Sequence, residues 1–440
     1  MINKILTFFV NLMQKYLPDP FTIAWIITIV VVGMAMGMTG TPMTKIIEDW
    51  GNGFFGILAF AMQMTLVVAT GYTLAAAPPV RRMLRTIAAV PQTPVQTILF
   101  IGFASMVLYY LNWGLGLIAG GLLAREAAKL HPDVDFRLLV ASAFSGIIIT
   151  HGGLSASVPL LINTKGHFLE KEIGLVPLSQ TIFHPQALFI TIGLAVVIPL
   201  VLVLMIPKKE HTIVADPALF AEDDVPVAAS TGNELADKLD SSRILNYSLG
   251  LIGVVYIGLF FAHGGSLNIN VLIFIFLILG VLAHGSLISY ARLAGKSAAA
   301  AGGIVLQYPF YAAILGVMKG SGLVELISDA LLQLATYDTF ELYCYLSSLI
   351  ISIFVPSAGG HWVVQAPFML PAAAKLGVEP WKVAMGVAWG ESIWNVVCPF
   401  WALPLLAIAK ISIRDLIGFS VLLFLIGNVV AITGIFLIPH

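Results

Sequence analysis

Glu391 stands almost alone as a charge in apolar surroundings, in the run Gly390-Glu391-Ser392-Ile393-Trp394-Asn395-Val396-Val397-Cys398-Pro399. A carboxyl there can carry a proton or lie beside a bound cation, because a bare buried charge is costly. Its plainer role is a structural carboxyl hydrogen-bonded to backbone that Pro399 frees. A second run reads Thr150-His151-Gly152-Gly153-Leu154-Ser155-Ala156-Ser157-Val158-Pro159. His151 can exchange protons or pack as a neutral ring. Two more polar breaks are Asn112-Trp113-Gly114-Leu115-Gly116 and Pro356-Ser357-Ala358-Gly359-Gly360-His361-Trp362. Gly and Pro interrupt helices and release backbone groups that need partners. Released amides at a helix N-terminus attract anions, and released carbonyls can hold a cation.

The four breaks, around 112–116, 151–157, 357–361 and 391–399, are expected to converge on one site. Candidate substrate contacts are Asn112, Trp113, Gly114, His151, Gly152, Gly153, Ser155, Ser157, Ser357, Gly359, Gly360, His361, Gln365 and Asn395. Glu391 and His151 are the candidates for a coupling ion, a proton or sodium. Trp113, Trp362, Trp394 and Trp401 lie close to the breaks and could wall an apolar tail; the bland alternative is helix packing. With no Lys or Arg in the apolar segments, a small anion bound through amides and hydroxyls suits these residues better than a multiply charged one. The histidines have no metal-ligand spacing. Cys344 and Cys398 make no disulfide framework. No Walker-type GxxxxGK[ST] occurs, so neither a metal, a cofactor nor ATP is expected.

These breaks lie in a chain built for a membrane. Of 440 residues, 22 are Lys or Arg and 23 are Asp or Glu, 10% in all, and 59% are hydrophobic. A soluble protein is about 25% charged. A net charge of −1 offers no field for nucleic acid. The segments that could cross hydrocarbon are 21–39, 54–77, 95–124, 138–164, 185–206, 244–262, 269–289, 297–318, 342–374, 383–409 and 416–439. Glu391 is the charge they contain. Segments 95–124 and 342–374 exceed the ~20 residues a helix needs to span, and each breaks in the middle. We read them as re-entrant hairpins rather than long kinked helices. That leaves about nine full transmembrane helices in an all-α polytopic protein.

With the N-terminus inside, Lys45, Lys165, Lys171, Lys319, Lys375 and Lys382 fall outside, and the other sixteen of the 22 Lys and Arg fall inside. This agrees with the positive-inside rule. It also places the C-terminus outside. Residues 1–20 read as an interfacial amphipathic helix and 208–243 as a cytoplasmic linker. A shift of 245 residues lays Gly71 on Gly316, Gly114 on Gly359 and Pro159-Leu160-Leu161 on Pro404-Leu405-Leu406. The first repeat is 21–207 and the second 263–440, with 244–262 an extra span that inverts the second. An inverted repeat with paired breaks is the architecture of a secondary transporter.

At Tyr16-Leu17-Pro18-Asp19-Pro20-Phe21, Leu111-Asn112-Trp113-Gly114-Leu115-Gly116, His151-Gly152-Gly153-Leu154-Ser155 and Pro356-Ser357-Ala358-Gly359-Gly360-His361-Trp362 the sequence resembles the short-chain fatty acid (acetoacetate/butyrate) transporter family of bacteria. That family is similar to others of the ion transporter superfamily. The resemblance implies a scaffold and a moving transport domain, a homodimer in the lipid of the inner membrane, and elevator-like alternating access. Related dicarboxylate symporters present Ser-Asn-Thr type hairpin tips. Here those places read Asn112-Trp113-Gly114 and Ser357-Ala358-Gly359, which favours a monocarboxylate and a proton. The alternatives are a sodium-coupled carrier or exchanger for dicarboxylates or amino acids, and, from another class, a channel or a membrane enzyme.

Overall fold

The structure, a computed structural model, describes residues 18–216 and 235–438. Residues 1–17 of the anticipated interfacial helix, the middle of the linker and the last two residues lie outside the described residues. All regular elements among the described residues are helices. The first half contains α1 (Pro20–Thr39), α2 (Met43–Gly53), α3 (Leu58–Ala75), α4 (Pro78–Ala88), α5 (Pro94–Leu111), α6 (Trp113–Leu130), α7 (Phe136–Phe144), a 3-10 turn at Ser145–Gly152, α8 (Ser157–Ile162) and α9 (Pro185–Leu204). The helix α10 (Arg243–Ala262) follows. The second half contains α11 (Ile269–His284), α12 (Leu287–Ala299), α13 (Gly302–Ser321), α14 (Leu323–Leu332), α15 (Phe340–Ile351), α16 (Ala358–Leu376), α17 (Pro380–Asn395), α18 (Pro399–Ala409) and α19 (Ile413–Leu437).

Local chemistry sets many of these boundaries. Proline occupies the first turn of α1, α4, α5, α9, α17 and α18, where its missing N–H would be unpaired anyway. Asp19, Thr93, Asn112, Asp135 and Ser242 cap helices by accepting a backbone N–H. The two halves keep one spacing: α4 and α14 open at Pro78 and Leu323, α6 and α16 at Trp113 and Ala358, and 323 − 78 and 358 − 113 both equal 245.

Among the described residues, seven helices are long and apolar enough to cross a membrane, or up to nine if each bent pair is one span; α12–α13 bends by 49° and α17–α18 by 43°. Nine is also the number expected from sequence, but the membership differs. Length alone admits α5, a hairpin arm, and passes over α11, which has 16 residues. Large apolar side chains on the outer helices face outward, among them Ile244, Leu251 and Ile252 of α10 and Leu425 and Val429 of α19. In water so many would be a liability; in a bilayer they meet lipid.

The hairpins differ from each other. Arms α5 and α6 pack along their length and join at one extended residue, Asn112. Helix α6 runs beyond the anticipated end at 124, through Glu126, which pairs with Arg85 and with Lys129, each at 3.1 Å. Arms α15 and α16 join through 352–357 and splay, so that α15 packs chiefly on α17. Helices α1, α2, α3, α11, α12 and α13 form one packing group; the hairpins with α7, α8, α9, α17, α18 and α19 form another. The groups meet where α3 lies on α6 and α13 on α16. That contact requires glycine: a Cβ on Gly71 would stand 2.7 Å from the Leu115 nitrogen.

Candidate functional site

Four chain breaks come together between the two packing groups. The tip of the first hairpin is tied to the broken first-half span, since the Trp113 N–H donates to Ser155 Oγ at 2.9 Å and the Leu154 N–H to the Tyr110 carbonyl at 2.7 Å. The two broken spans are stitched across the repeats: Ser392 Oγ donates to the Ile148 carbonyl at 2.9 Å and lies 3.2 Å from Thr150 Oγ1. These bonds replace the helical ones that the 3-10 turn at 145–152 gives up.

The stitching sets two ionisable side chains against each other. His151 Nε2 lies 2.5 Å from Glu391 Oε2, and Asn395 Nδ2 donates to the same oxygen at 2.8 Å. Both members of the pair are buried. At that distance the two side chains are hydrogen-bonded to each other. Three further atoms are buried without partners: Glu391 Oε1, His151 Nδ1 and Asn395 Oδ1. Orphaned atoms at one place signal capacity for a ligand or water. On the facing side Tyr308 OH and Ser357 Oγ are 2.9 Å apart.

A cavity of about 30 Å³ opens between these groups. Its lining includes Met64, Ile304 and Tyr308 from the first packing group. The second group supplies Tyr109, Trp113, Leu117, Ile147, Thr150, His151, Ser157, Ser357, Ala358, Glu391, Asn395 and Trp401. At about 10–15 Å³ per water, the space holds about two or three waters. A four-carbon acid needs the groups to part. The lining has one carboxyl and one imidazole, and no Lys or Arg among the described residues. No side chain caps the N-terminus of α16, whose first residue, Ala358, lines the cavity. Anions favour such an end. Trp113 and Trp401 form an edge-to-face pair at 5.3 Å and wall the apolar side.

Of the residues singled out by sequence, Trp113, His151, Ser157, Ser357, Glu391 and Asn395 line the cavity. Others shape it from behind. Asn112 caps α6 through the Leu115 N–H at 2.9 Å. Ser155 holds the hairpin tip. Gly114, Gly152, Gly153, Gly359 and Gly360 permit close approaches to Val68, Trp389, Tyr110, Phe60 and Tyr311 respectively. His361 and Gln365 stand apart from the cavity. They bond each other and tie the second hairpin to itself, His361 Nδ1 to Ser352 Oγ at 3.2 Å and Gln365 Nε2 to Ser347 Oγ at 2.7 Å. His361 belongs to the first turn of α16 rather than to the turn between the arms. Glu391 likewise lies inside α17, with the break at 396–398.

Sequence reasoning passed over Tyr109, Tyr308 and Thr150, which carry the remaining hydroxyls of the lining. A tyrosine inside an apolar span was the available signal, because its hydroxyl must find a partner. It also passed over Glu341, one residue short of segment 342–374. Glu341 is 2% exposed. Trp362 is buried in the core, and Trp394 packs on Phe424.

Comparison with known proteins agrees with this architecture. The sequence pattern of the family described as "Short chain fatty acid transporter" matches residues 1–438. A protein of Escherichia coli (strain K12) named "Putative short-chain fatty acid transporter" is 38% identical over 437 residues, 99% of each chain. A protein of Haemophilus influenzae with the same name is 38% identical over 445 residues, 99% of this chain and 100% of that one. Among solved structures, the Alcanivorax borkumensis YdaH transporter, described as having an unusual topology, aligns with a TM-score of 0.58 and 16% identity over 94% of this chain and 98% of that one. That likeness concerns the fold alone.

Proposed function

The chain belongs to the short-chain fatty acid transporter family, a family of multi-pass membrane transporters rather than enzymes, and we propose that it takes up short-chain monocarboxylates of the acetoacetate and butyrate class together with a proton. The observation that carries the proton is the His151–Glu391 contact in a cavity lined by no Lys or Arg. An empty site holding imidazolium and carboxylate is neutral as a pair. A carboxylate substrate then adds one uncompensated negative charge inside a membrane. A proton taken up on Glu391 restores neutrality. The imidazolium and the N-terminus of α16 face the substrate carboxylate, with hydroxyls of Ser157 and Ser357 at hand. Trp113, Trp401, Leu117 and Met64 receive the short tail.

The place of the cavity supports alternating access. Its walls belong to two packing groups, so sliding the hairpin group past the other carries the site with it, in the elevator manner. The orientation has the N-terminus cytoplasmic and the C-terminus periplasmic, in the inner membrane of a bacterium, with the protein a homodimer. Lys319 pairs with Glu172 at 2.7 Å and Arg85 with Glu126 at 3.1 Å, each pair joining charges assigned to one side.

Competition for uptake of labelled butyrate into proteoliposomes tests the substrate class. Acetoacetate and butyrate should displace the label and succinate should not. Succinate competing better than butyrate would move the reading to a dicarboxylate carrier, the alternative with sodium.

A further inference from the structure

Beyond the cavity, buried polar atoms without partners continue toward one surface. Glu341, in the first turn of α15, accepts a hydrogen bond from Gln186 Nε2 at 3.0 Å through Oε2. Glu341 Oε1 and Gln186 Oε1 are buried and unpartnered. Lys382 of α17 faces this carboxyl, but its Nζ is bonded to Tyr337 OH and paired with Glu379, each at 2.8 Å. The other titratable neighbours are Cys344 on α15 and His184, which precedes α9 and stacks on Trp381 at 4.2 Å. Farther along the buried side of α9, about 7.5 Å by helical rise, Thr191 Oγ1 is also unpartnered. Thr191 and the Trp389 ring press on Gly152, beside His151. Trp389 Nε1 and His151 Nδ1 complete the series.

Polar atoms orphaned in a core are usually served by ordered water. The outer end of the series lies one turn below exposed Tyr337 and Asp338, next to half-exposed Glu379. It is the end at which the charge distribution places Lys375 and Lys382 outside.

We infer that Glu341 is a second proton-binding group, loading protons from the outer surface and passing them through Thr191 and water to the His151–Glu391 pair. This rests on the proton reading above. The step balances within the protein. Glu341 gives its proton to the water chain, and Glu391 Oε1, buried without a partner beside His151, takes one from it, while the imidazolium keeps both of its protons. The net result is one proton moved from Glu341 to Glu391.

Two fluxes separate a relay from a structural role. Net uptake of butyrate driven by a pH gradient needs proton delivery; exchange of labelled for unlabelled butyrate at equal pH does not. Glu341→Gln should slow net uptake about tenfold or more and flatten its pH profile, while exchange stays within about twofold. Thr191→Val, nearly isosteric, should slow net uptake in the same direction, and Glu341→Asp should restore part of it. Wild-type net uptake and pH profile in both Glu341→Gln and Thr191→Val would overturn the relay, as would parallel loss of both fluxes in both. If the wild-type protein ignores a pH gradient, the proton reading itself falls, and the relay with it, before any variant is compared.

Discussion

Replacing Glu391 by glutamine isolates the charge of the site from its shape. The carbonyl of the amide can stand where Oε2 stands, 2.5 Å from His151 Nε2 and 2.8 Å from Asn395 Nδ2, so both donors keep an acceptor. The new NH2 takes the place of Oε1, which has no partner to lose. What disappears is the group that takes up a proton. With Glu391 ionised, a substrate carboxylate about 4 Å away is repelled by about 4 kcal/mol at an effective dielectric near 20, about a thousandfold in affinity. Protonation relieves that repulsion, and this is the coupling. In Glu391→Gln the repulsion is gone at every pH, so the anion binds without a proton. The assay is accumulation of labelled butyrate in proteoliposomes under an inside-alkaline pH gradient. Short-chain acids leak across lipid as neutral molecules, so the flux into protein-free vesicles is subtracted. Leak-corrected uptake above equilibrium should vanish in the variant, while exchange across equal pH persists within about threefold. Gradient-driven accumulation equal to the wild type in Glu391→Gln would refute the assignment.

Other perturbations probe the walls and the frame. Trp401→Ala should open the apolar side of the cavity and improve competition by longer acids, about fourfold per added methylene at ~0.8 kcal/mol each; a series from butyrate to hexanoate reads it. Gly71→Ala places a Cβ 2.7 Å from the Leu115 nitrogen and should cost about 1–3 kcal/mol, seen as a lower thermal midpoint in detergent. His167, in the loop after α8, accepts the Leu169 N–H on Nδ1 at 3.3 Å and donates from Nε2 to the Gly174 carbonyl at 2.9 Å. Burial holds this ring below the usual histidine range despite the Gly174 bond and nearby Glu170, which raise it. A depressed histidine stabilises the loop above an ordinary value of 6.5, and that contribution is lost as pH falls below it. The protection of the Leu169 amide against hydrogen exchange, taken relative to its intrinsic rate, should fall between neutral pH and pH ~5.

Much of the fold was legible because hydrocarbon is an exacting solvent. It forbids charges over about 20 residues and forbids unpaired backbone, so apolar runs and their glycine breaks mark helices and turns directly. The 245-residue spacing was visible in glycines such as Gly71, Gly114 and Gly359, each of which meets a close neighbour. The candidate cavity was legible at Glu391 and His151 for the same reason. The pairing of those two was not, because 240 residues separate them and no local pattern records it. Asn112 illustrates an ambiguity of side-chain chemistry: the oxygen that could meet a substrate also caps a helix, and here it caps. His361 and Gln365 carried a signal that went unused, since residues four apart on a helix face each other and satisfy one another. Glu341 escaped because it lies just ahead of an apolar run, where sequence gives no measure of how deeply the helix end is covered.

Coupling of butyrate to a proton is measurable by binding alone, without a membrane. Purified protein in detergent, in a weakly buffered solution with a pH indicator, is titrated with butyrate in the absence of sodium. Wild-type protein should take up about one proton per butyrate bound, and Glu391→Gln should bind butyrate with none. Binding without proton uptake in the wild type, or binding that appears only when sodium is added, would contradict the account.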